Sequence, residues 1–141
     1  MAIDLQSPLD NLVTMLTGLS VLQAVQKGAP RTWTKRVTAF VTLGAGRVVD
    51  KAGGLIQHQQ NYFVGFGYAV EGAEDDAEDT LCSAVADFIA AFYAERKTSG
   101  SMFASAVLDL SKADEPDYQP VAGQEIRIYP CVVSMTQQAN V

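Results

Sequence analysis

The chain holds few of the residues on which metal sites and enzymes depend. It has one histidine, His58, and two cysteines, Cys82 and Cys131, spread through 141 residues. A metal site needs several converging ligands, and a nucleophilic triad needs a positioned base and an orienting group. No such set surrounds His58 in the sequence. We therefore expect a surface or interface histidine, no cofactor, no catalytic residue and no enzymatic activity.

Basic charge and long apolar runs are also scarce. The chain has 10 Lys+Arg against 16 Asp+Glu, a net charge of -6, which argues against sequence-specific binding of nucleic acid. No apolar run approaches the roughly 18 residues of a membrane span, and the first residues lack the regions of a signal peptide. The sequence predicts a protein made in a cytosol, and used there or carried out inside a particle. Both cysteines are then expected to be free and buried.

Two short motifs match ligand sites only in part. Gly44 and Gly46 form a G-x-G, but Val49 stands where the third glycine of a dinucleotide fingerprint belongs, and no G-K-[ST] follows. The acidic run at residues 74–79 lacks the ligand spacing of a calcium loop. Complementarity to a helix dipole explains that run. We interpret the glycines as a flexible hairpin tip and the acidic run as the start of a helix.

Residues 55–70 (LIQHQQNYFVGFGYAV) are the most informative stretch, because they combine strand-forming residues with no proline and no charge. A strand of this length spans about 53 Å, more than the roughly 37 Å diameter of a compact domain of this size. Its second half alternates apolar residues from Tyr62 onward, whereas residues 57–61 are polar on both faces. We expect half of the strand in the core and half projecting. Gly65 and Gly67 leave one side flat for close approach of another group.

The remaining pattern predicts two helices and further strands. Ser7 and Pro8 open a first helix that ends near Gly18, and residues 74–97 form a second, acidic at its start and basic at its end. Residues 19–27 fit either helix or strand. Residues 36–43, 103–110 and 124–135 read as strands, and residues 44–54 and 112–123 as loops. Residues placed in the core are Val37, Ala39, Val41, Leu43, Leu81, Val85, Phe88, Ile89, Phe92, Ile126, Ile128 and Cys131 or Val132.

This order of elements predicts a single α+β domain over residues 1–141. We expect two layers, an antiparallel β-sheet with helices packed on one face, and a long projecting β-hairpin whose loop covers about residues 44–61. Pro130 makes the last strand an edge strand or one with a bulge.

The same order resembles the tail terminator proteins, also called tail completion proteins, of long-tailed bacteriophages. The matching features are the N-terminal helix, the Gly28-Ala29-Pro30 break, the long hairpin, the acidic-start helix EDDAEDTLCSAVADFIAAFYAERK and the closing strand IRIYPCVVSMTQQ. The resemblance implies a homohexameric ring that caps the tail tube, ends its polymerisation and docks to the head. It implies the tube protein and a head-completion or connector protein as partners, DNA passing through the lumen, and a place at the head–tail junction of the virion.

Two sets of residues are candidates for this role. Contacts with a neighbouring subunit or partner are expected from polar and aromatic residues of the hairpin and of the basic cluster before it: Trp33, Arg36, Arg47, Asp50, Lys51, Gln57, His58, Gln59, Gln60, Asn61 and Phe63. Carboxylates facing the DNA channel are expected among Glu74, Asp75, Asp76, Asp114, Glu115 and Asp117. Trp33 also suits a core anchor, and a stacked nucleic acid is the weaker interpretation of its cluster.

Other functions stay open at this point. Another ring protein of the head–tail junction, such as a connector or stopper, and a tail-tube subunit fit the same features. A cytosolic adaptor that binds a peptide at its sheet edge would be monomeric or dimeric. A small enzyme would need a pocket with converging polar groups, and the sequence shows no such set.

Overall fold

The computed structural model describes residues 3–73, 75–110, 117–121 and 123–140. These residues form two helices and six strands. In chain order they are α1 (Gln6–Thr17), β1 (Ala24–Lys27), β2 (Thr38–Asp50), β3 (Leu55–Ala69), α2 (Ala77–Lys97), β4 (Val107–Asp109), β5 (Asp117–Val121) and β6 (Gln124–Asn140). The strands build one mixed sheet in the order β1-β2-β3-β6-β4, with β5 also paired to β6. The α+β class is therefore correct.

The sheet is mixed because β1 runs parallel to β2, whereas every other pairing is antiparallel. The expectation of a purely antiparallel sheet was wrong at this edge. The ambiguous residues 19–27 hold β1, and its parallel pairing follows a connection that includes Gly28, which has a positive φ of 81°. Glycine takes this conformation without the clash of a Cβ.

Helix α1 begins at Gln6, one residue before the predicted Ser7 cap. The side chain of Asp4 accepts hydrogen bonds from the backbone N–H groups of Gln6 and Ser7 at 3.1 and 3.0 Å. Hydrogen bonds from the Ser7 side chain, and then from the backbone N–H groups of Ser7 and Gln6, lower the pKa of the Asp4 carboxyl. An aspartate before the first turn satisfies N–H groups that have no partner inside the helix. The side chain of Asp4 therefore accepts the hydrogen bonds that were expected to go to Ser7.

Strand β2 continues through most of the predicted loop. Residues 46–50 pair with β3 down to Asp50 opposite Ile56, and only residues 51–54 form the turn. The loop prediction for residues 44–54 was wrong because glycines were taken as breakers. Leu43, expected in the core, is 51% exposed. The strand predicted over residues 55–70 is observed as Leu55–Ala69.

The C-terminal half differs from the prediction at three places. Phe103 is buried in a turn and not in a strand, since β4 covers only Val107–Asp109. Strand β5 lies in the predicted loop at residues 112–123. Strand β6 runs to Asn140 and not to Met135. Around Pro130 it is an interior strand, and Pro130 falls between the segments that pair with β5 and β4, where its missing N–H is tolerated.

The main core cluster contains residues of both helices and residues from one face of the sheet. Helix α2 begins at Ala77 and buries Leu81, Val85, Phe88 and Phe92, as its apolar stripe predicted. These residues cluster with the buried side chains of α1, β2, β3 and β6, which include Leu12, Leu16, Ala39, Val41, Tyr62, Val64, Phe66, Cys131 and Val133. We call this side of the sheet the Tyr62 face.

The opposite side, which we call the Phe63 face, carries a smaller apolar cluster of Trp33, Phe40, Ala69, Ile126 and Ile128, with Phe63 packed against it. The two flat glycines of β3 accommodate this cluster. A Cβ built on Gly67 would lie 2.9 Å from the Trp33 ring, and one on Gly65 would lie 2.4 Å from the Phe40 ring. The close approach predicted at both glycines is thus made by residues of the same chain.

Candidate assembly surface

Strands β2, β3 and β6 remain paired with one another beyond Tyr62 of β3. The strand extension consists of residues 44–50 of β2, 55–61 of β3 and 134–140 of β6, with β3 in the middle. Strand β3 is 15 residues long, about 50 Å at 3.3 Å per residue. Its second half carries the buried Tyr62, Val64 and Phe66, whereas Gln57, His58 and Asn61 are only half-buried and Gln59 is exposed. Of the hairpin candidates, Arg47, Asp50 and residues 57–61 lie on this extension, and Lys51 lies in the turn at its tip.

A β-bulge marks the base of the extension. The register between β2 and β3 shifts between Leu43 and Gly46. The Gln60 side chain fills the bulge, where its amide nitrogen donates to the carbonyl oxygens of Gly44 at 2.8 Å and Ala45 at 3.3 Å. A Cβ on Gly46 would lie 2.3 Å from Gln60 Oε1, so a larger residue there would displace the Gln60 side chain from the bulge. Gln60 is buried, which corrects the expectation that residues 57–61 stay out of the core.

His58 contacts the same glutamine. Its Nε2 lies 2.9 Å from Gln60 Oε1, and an amide oxygen can only accept, so His58 must donate through Nε2. Because Gln60 is itself tied to the β2 bulge, this bond gives His58 a structural place in the extension. Among the described residues there is no group of three or more side chains that could hold a metal ion.

The two faces of the extension differ in character. Residues that lie directly opposite each other in two paired strands point to the same face, and successive residues of one strand alternate between the faces. Val48, His58 and Gln137 are aligned on the Tyr62 face, while Arg47, Gln59 and Thr136 are aligned on the Phe63 face. The Phe63 face of the extension is therefore mainly an uncharged polar surface, with Arg47 as its basic group.

The turn at the tip is exposed. It spans residues 51–54, where Gly53 and Gly54 both have positive φ angles, and the Lys51 N–H donates to the Leu55 carbonyl at 2.7 Å. Asp50 and Lys51 are both exposed beside it. These two candidates therefore present opposite charges at the far end of the extension.

Both lateral edges of the extension lack a further strand within the described part of the chain. Strand β1 pairs with β2 only as far as Val41, and β4 pairs with β6 only as far as Ser134. Residues 42–50 of β2 and 135–140 of β6 therefore have β3 as their one strand partner. Open edges of this kind are templates for pairing with another chain.

Apolar groups accompany both edges. On β2, Leu43 is 51% and Val48 is 56% exposed, and both lie on the Tyr62 face. Beside β6, a cavity of about 240 Å³ is lined by Asp4, Ser7, Pro8, Met102, Met135 and Gln137. Met102 is itself 42% exposed. Sequence reasoning missed these groups, since Leu43 matched a core alternation and Met102 belonged to no periodic pattern.

The candidates outside the extension lie in different environments. Trp33 is buried in the Phe63-face cluster and makes an edge-on ring contact with Phe40 at 5.7 Å between centroids. Phe63 is half-buried and tilts over the same Phe40 ring. Arg36 is exposed, and its Nη1 donates to Gln23 Oε1 at 3.3 Å. Trp33 thus has the position of a core anchor.

The acidic candidates are only partly within the described chain. Asp75 and Asp76 are exposed in the turn before α2, and Asp117 is the first residue of β5. Glu74, Asp114 and Glu115 lie outside the described residues. Exposed Glu78 and Asp79 add two carboxylates in the first turn of α2, so this end of the helix is strongly acidic.

One of these carboxylates, that of Glu78, is hydrogen-bonded to side chains of the sheet. Glu78 Oε1 accepts from the buried Arg127 Nε at 2.9 Å and from the Tyr68 hydroxyl at 2.9 Å. Arg127 also donates through Nη1 to the Ile128 carbonyl at 2.7 Å. This network fixes the start of α2 against β3 and β6, and the sequence did not predict it.

Two buried groups titrate abnormally. Burial raises the pKa of the Cys131 thiol to about 12. Burial and the nearby Asp4 carboxylate raise the pKa of Tyr62 to about 12, and its hydroxyl donates to the Leu5 carbonyl at 2.8 Å. Both cysteines are free, but Cys82 is exposed, contrary to its expected burial. A buried thiol with a raised pKa is a poor nucleophile.

No helix among the described residues is long and apolar enough to cross a membrane. No protein-family model matches the chain, and no curated protein matches its sequence.

Proposed function

We propose that the protein is a structural subunit of a phage virion that forms a ring on the end of the tail tube. The ring ends tube polymerisation and provides the surface to which the head docks. The observation that carries the proposal is the strand extension, which leaves two open edges and two exposed aliphatic residues, Leu43 and Val48, on one small chain. Unprotected edges with exposed apolar residues favour assembly with other chains.

The finer architecture belongs to the same proposal. Both helices cover the Tyr62 face as one layer, and the strand extension projects as a long hairpin backed by β6. The contacts of Leu12, Leu16, Phe88 and Phe92 with the Tyr62-face residues support this arrangement. A projecting extension allows strand pairing with a neighbour while the helical layer stays outside the contact.

The charge of the chain suits a ring through which DNA passes. A net charge of -6 and the exposed carboxylates Asp75, Asp76 and Asp79 before and within the first turn of α2 repel phosphate groups. Like charge at the channel or its rim would keep DNA from adhering during passage. The proposed partners are a second copy of the chain, the tail-tube protein and a head-completion protein.

Addition of the purified protein to polymerising tube subunits of the same virus tests this function. Electron microscopy should show one ring at a tube end, and tube lengths should stop increasing as the protein is added. Native mass spectrometry should show a ring of about 91 kDa for six copies of the 15.1 kDa chain. Incorporation along the tube would indicate a tube subunit instead. Rings that bind the head portal but leave tube growth unchanged would indicate a connector.

A further inference from the structure

We infer that the copies join edge to edge, with residues 42–50 of β2 in one copy paired in parallel with residues 135–140 of β6 in the next. The exposed Leu43 and Val48 of the first copy then fill the cavity beside Met102 and Met135 of the second. This inference rests on the proposed ring and names the contact that closes it.

The strand directions determine the kind of pairing. Strands β2 and β6 are both antiparallel to β3, so they run parallel to each other at the two edges of the extension. In a cyclic ring all copies point the same way along the axis. The β2 edge of one copy therefore meets the β6 edge of the next as a parallel pair, and the sheet continues from copy to copy.

Self-pairing leaves edges uncovered. Two β2 edges related by a twofold axis would pair antiparallel and leave both β6 edges exposed. A second twofold contact between β6 edges would then be needed, and copies joined in this way alternate in direction, unlike the copies of a cyclic ring. A single head-to-tail contact between β2 and β6 covers every edge and can close.

The composition of the two edges favours pairing. Residues 135–140 (MTQQAN) contain neither charge nor proline, and residues 42–50 (TLGAGRVVD) contain charges only at Arg47 and Asp50. Proline, lysine and short length are the usual protections of an edge strand. Neither stretch has proline or lysine, and the bulge between Leu43 and Gly46 is the one further protection on the β2 edge, so both edges remain available for pairing with another chain.

The apolar groups match across the proposed contact. Leu43 and Val48 lie on the Tyr62 face because they pair with Tyr62 and His58. Met135 and Gln137, which line the cavity of about 240 Å³, lie on that same face because they pair with Gln60 and His58. A sheet that continues across the contact keeps the two sets on one side. The exposed aliphatic side chains of one copy are thereby brought to the cavity of the next.

Cysteine cross-linking tests the contact on exposed positions that the proposed apolar fit does not use. In a Cys82→Ser background, a tagged Arg47→Cys chain is mixed with an untagged Thr136→Cys chain and treated with a short bismaleimide. The mixed product should dominate over either self-product, because Arg47 and Thr136 lie on the Phe63 face of opposite edges. A matched mixture of Arg47→Cys with Thr98→Cys, exposed after α2, should yield no product.

A second variant tests the apolar fit. Leu43→Asp should lower the yield of mixed product roughly tenfold or more, because it places a carboxylate against Met102 and Met135 and close to the carboxylate of Asp4. Tyr93→Asp, at a residue 38% exposed on α2, should leave the yield unchanged. Circular dichroism should first show that both variants are folded.

The outcomes of these experiments distinguish a failure of the edge pairing from a failure of the proposed function. Rings that cap tubes without an Arg47–Thr136 product would overturn the edge pairing and leave the proposed function standing. A strong mixed product with no effect on tube growth would support the edge pairing and contradict the proposed function. A self-product of Arg47→Cys equal to the mixed product, or a chain that stays monomeric without any product at its highest soluble concentration, would overturn the edge pairing.

Discussion

The ring of Phe40 occupies the space in which Gly65 would carry a side chain. A Cβ built on Gly65 would lie 2.4 Å from both Cε1 and Cζ of Phe40, closer than real carbon contacts allow. We expect Gly65→Ala to destabilise the fold by about 1–3 kcal/mol, the usual cost of overpacking. A urea melt of the purified variant measures this change.

Phe40→Leu provides the control for that substitution. If the clash is the cause, the Gly65→Ala/Phe40→Leu double variant should lose less stability than the sum of the two single variants, since residues in contact are coupled. Strict additivity would contradict the assigned cause and place the effect of Gly65→Ala in the backbone of β3.

Phe88 lies at the centre of the aromatic part of the core. Its ring packs at 5.7 Å from Phe66 and 6.2 Å from Phe92, measured between centroids, and it is fully buried. We expect Phe88→Ala to cost about 3–5 kcal/mol in a denaturant melt. Tyr93→Ala, on the exposed side of α2, should cost much less, and a loss below about 1 kcal/mol for Phe88→Ala would mean that its surroundings are not a packed core.

Alkaline pH should destabilise the protein through Cys131 and Tyr62. Their pKa values rise from 9.0 and 10.0 to about 12 on folding, so the folded chain holds these protons more tightly than the unfolded chain. The stability is fully present below about pH 9 and is lost as the pH rises towards 12. At about pH 10.5 the Cys131 contribution alone should be a loss of about 2 kcal/mol relative to neutral pH.

Cys131→Ala separates this effect from general alkaline damage. The variant starts from a lower stability at neutral pH because it leaves a small cavity. Its free energy of unfolding should nevertheless fall less steeply between pH 8 and 10.5 than that of the parent chain. Equal slopes would show that Cys131 is not the titrating group.

The sequence predicted local patterns well and distant pairings poorly. The stripe of α2 and the alternation of β3 are repeated at fixed intervals, so the residues themselves indicate which side is buried. The glycines at residues 44 and 46 favour a loop in any local scale. They lie in a strand because the Gln60 side chain occupies the bulge, and this contact joins positions that are 16 and 14 residues apart.

The sequence likewise predicted only part of the candidate surface. The polar residues 57–61 led to the prediction that β3 leaves the core there, and of these Gln59 is exposed whereas Gln60 is buried. The third strand of the extension was predicted only as far as Met135, because residues 136–140 (TQQAN) have no strong strand pattern and depend on β3 for their pairing. Asp4 was missed as a cap because its role depends on where the helix begins.

Shortening the hairpin should separate folding from assembly. Replacement of residues 48–58 by an Asn-Gly turn joins the paired residues Arg47 and Gln59 through a turn suited to a hairpin. We expect the shortened chain to melt cooperatively, because the buried residues of β3 begin at Gln60. It should fail to form rings and fail to cap tubes in the elongation assay. If it does not fold, the extension belongs to the folding core and not to the assembly surface.

The final prediction concerns the acidic residues before α2. We expect an Asp75→Lys ring to assemble normally, because Asp75 is exposed, but to release DNA slowly at low ionic strength. A lysine at the channel or its rim would exchange repulsion for a phosphate contact, and such contacts weaken as salt rises because they release counterions. Virions carrying the variant should therefore recover the parent rate of DNA ejection at high salt. Asp87→Lys makes the same change of charge at an exposed position further along α2, and should alter ejection less. Equal ejection rates for Asp75→Lys and the parent at every salt concentration, in rings whose residue 75 is shown to face the channel, would contradict the electrostatic role.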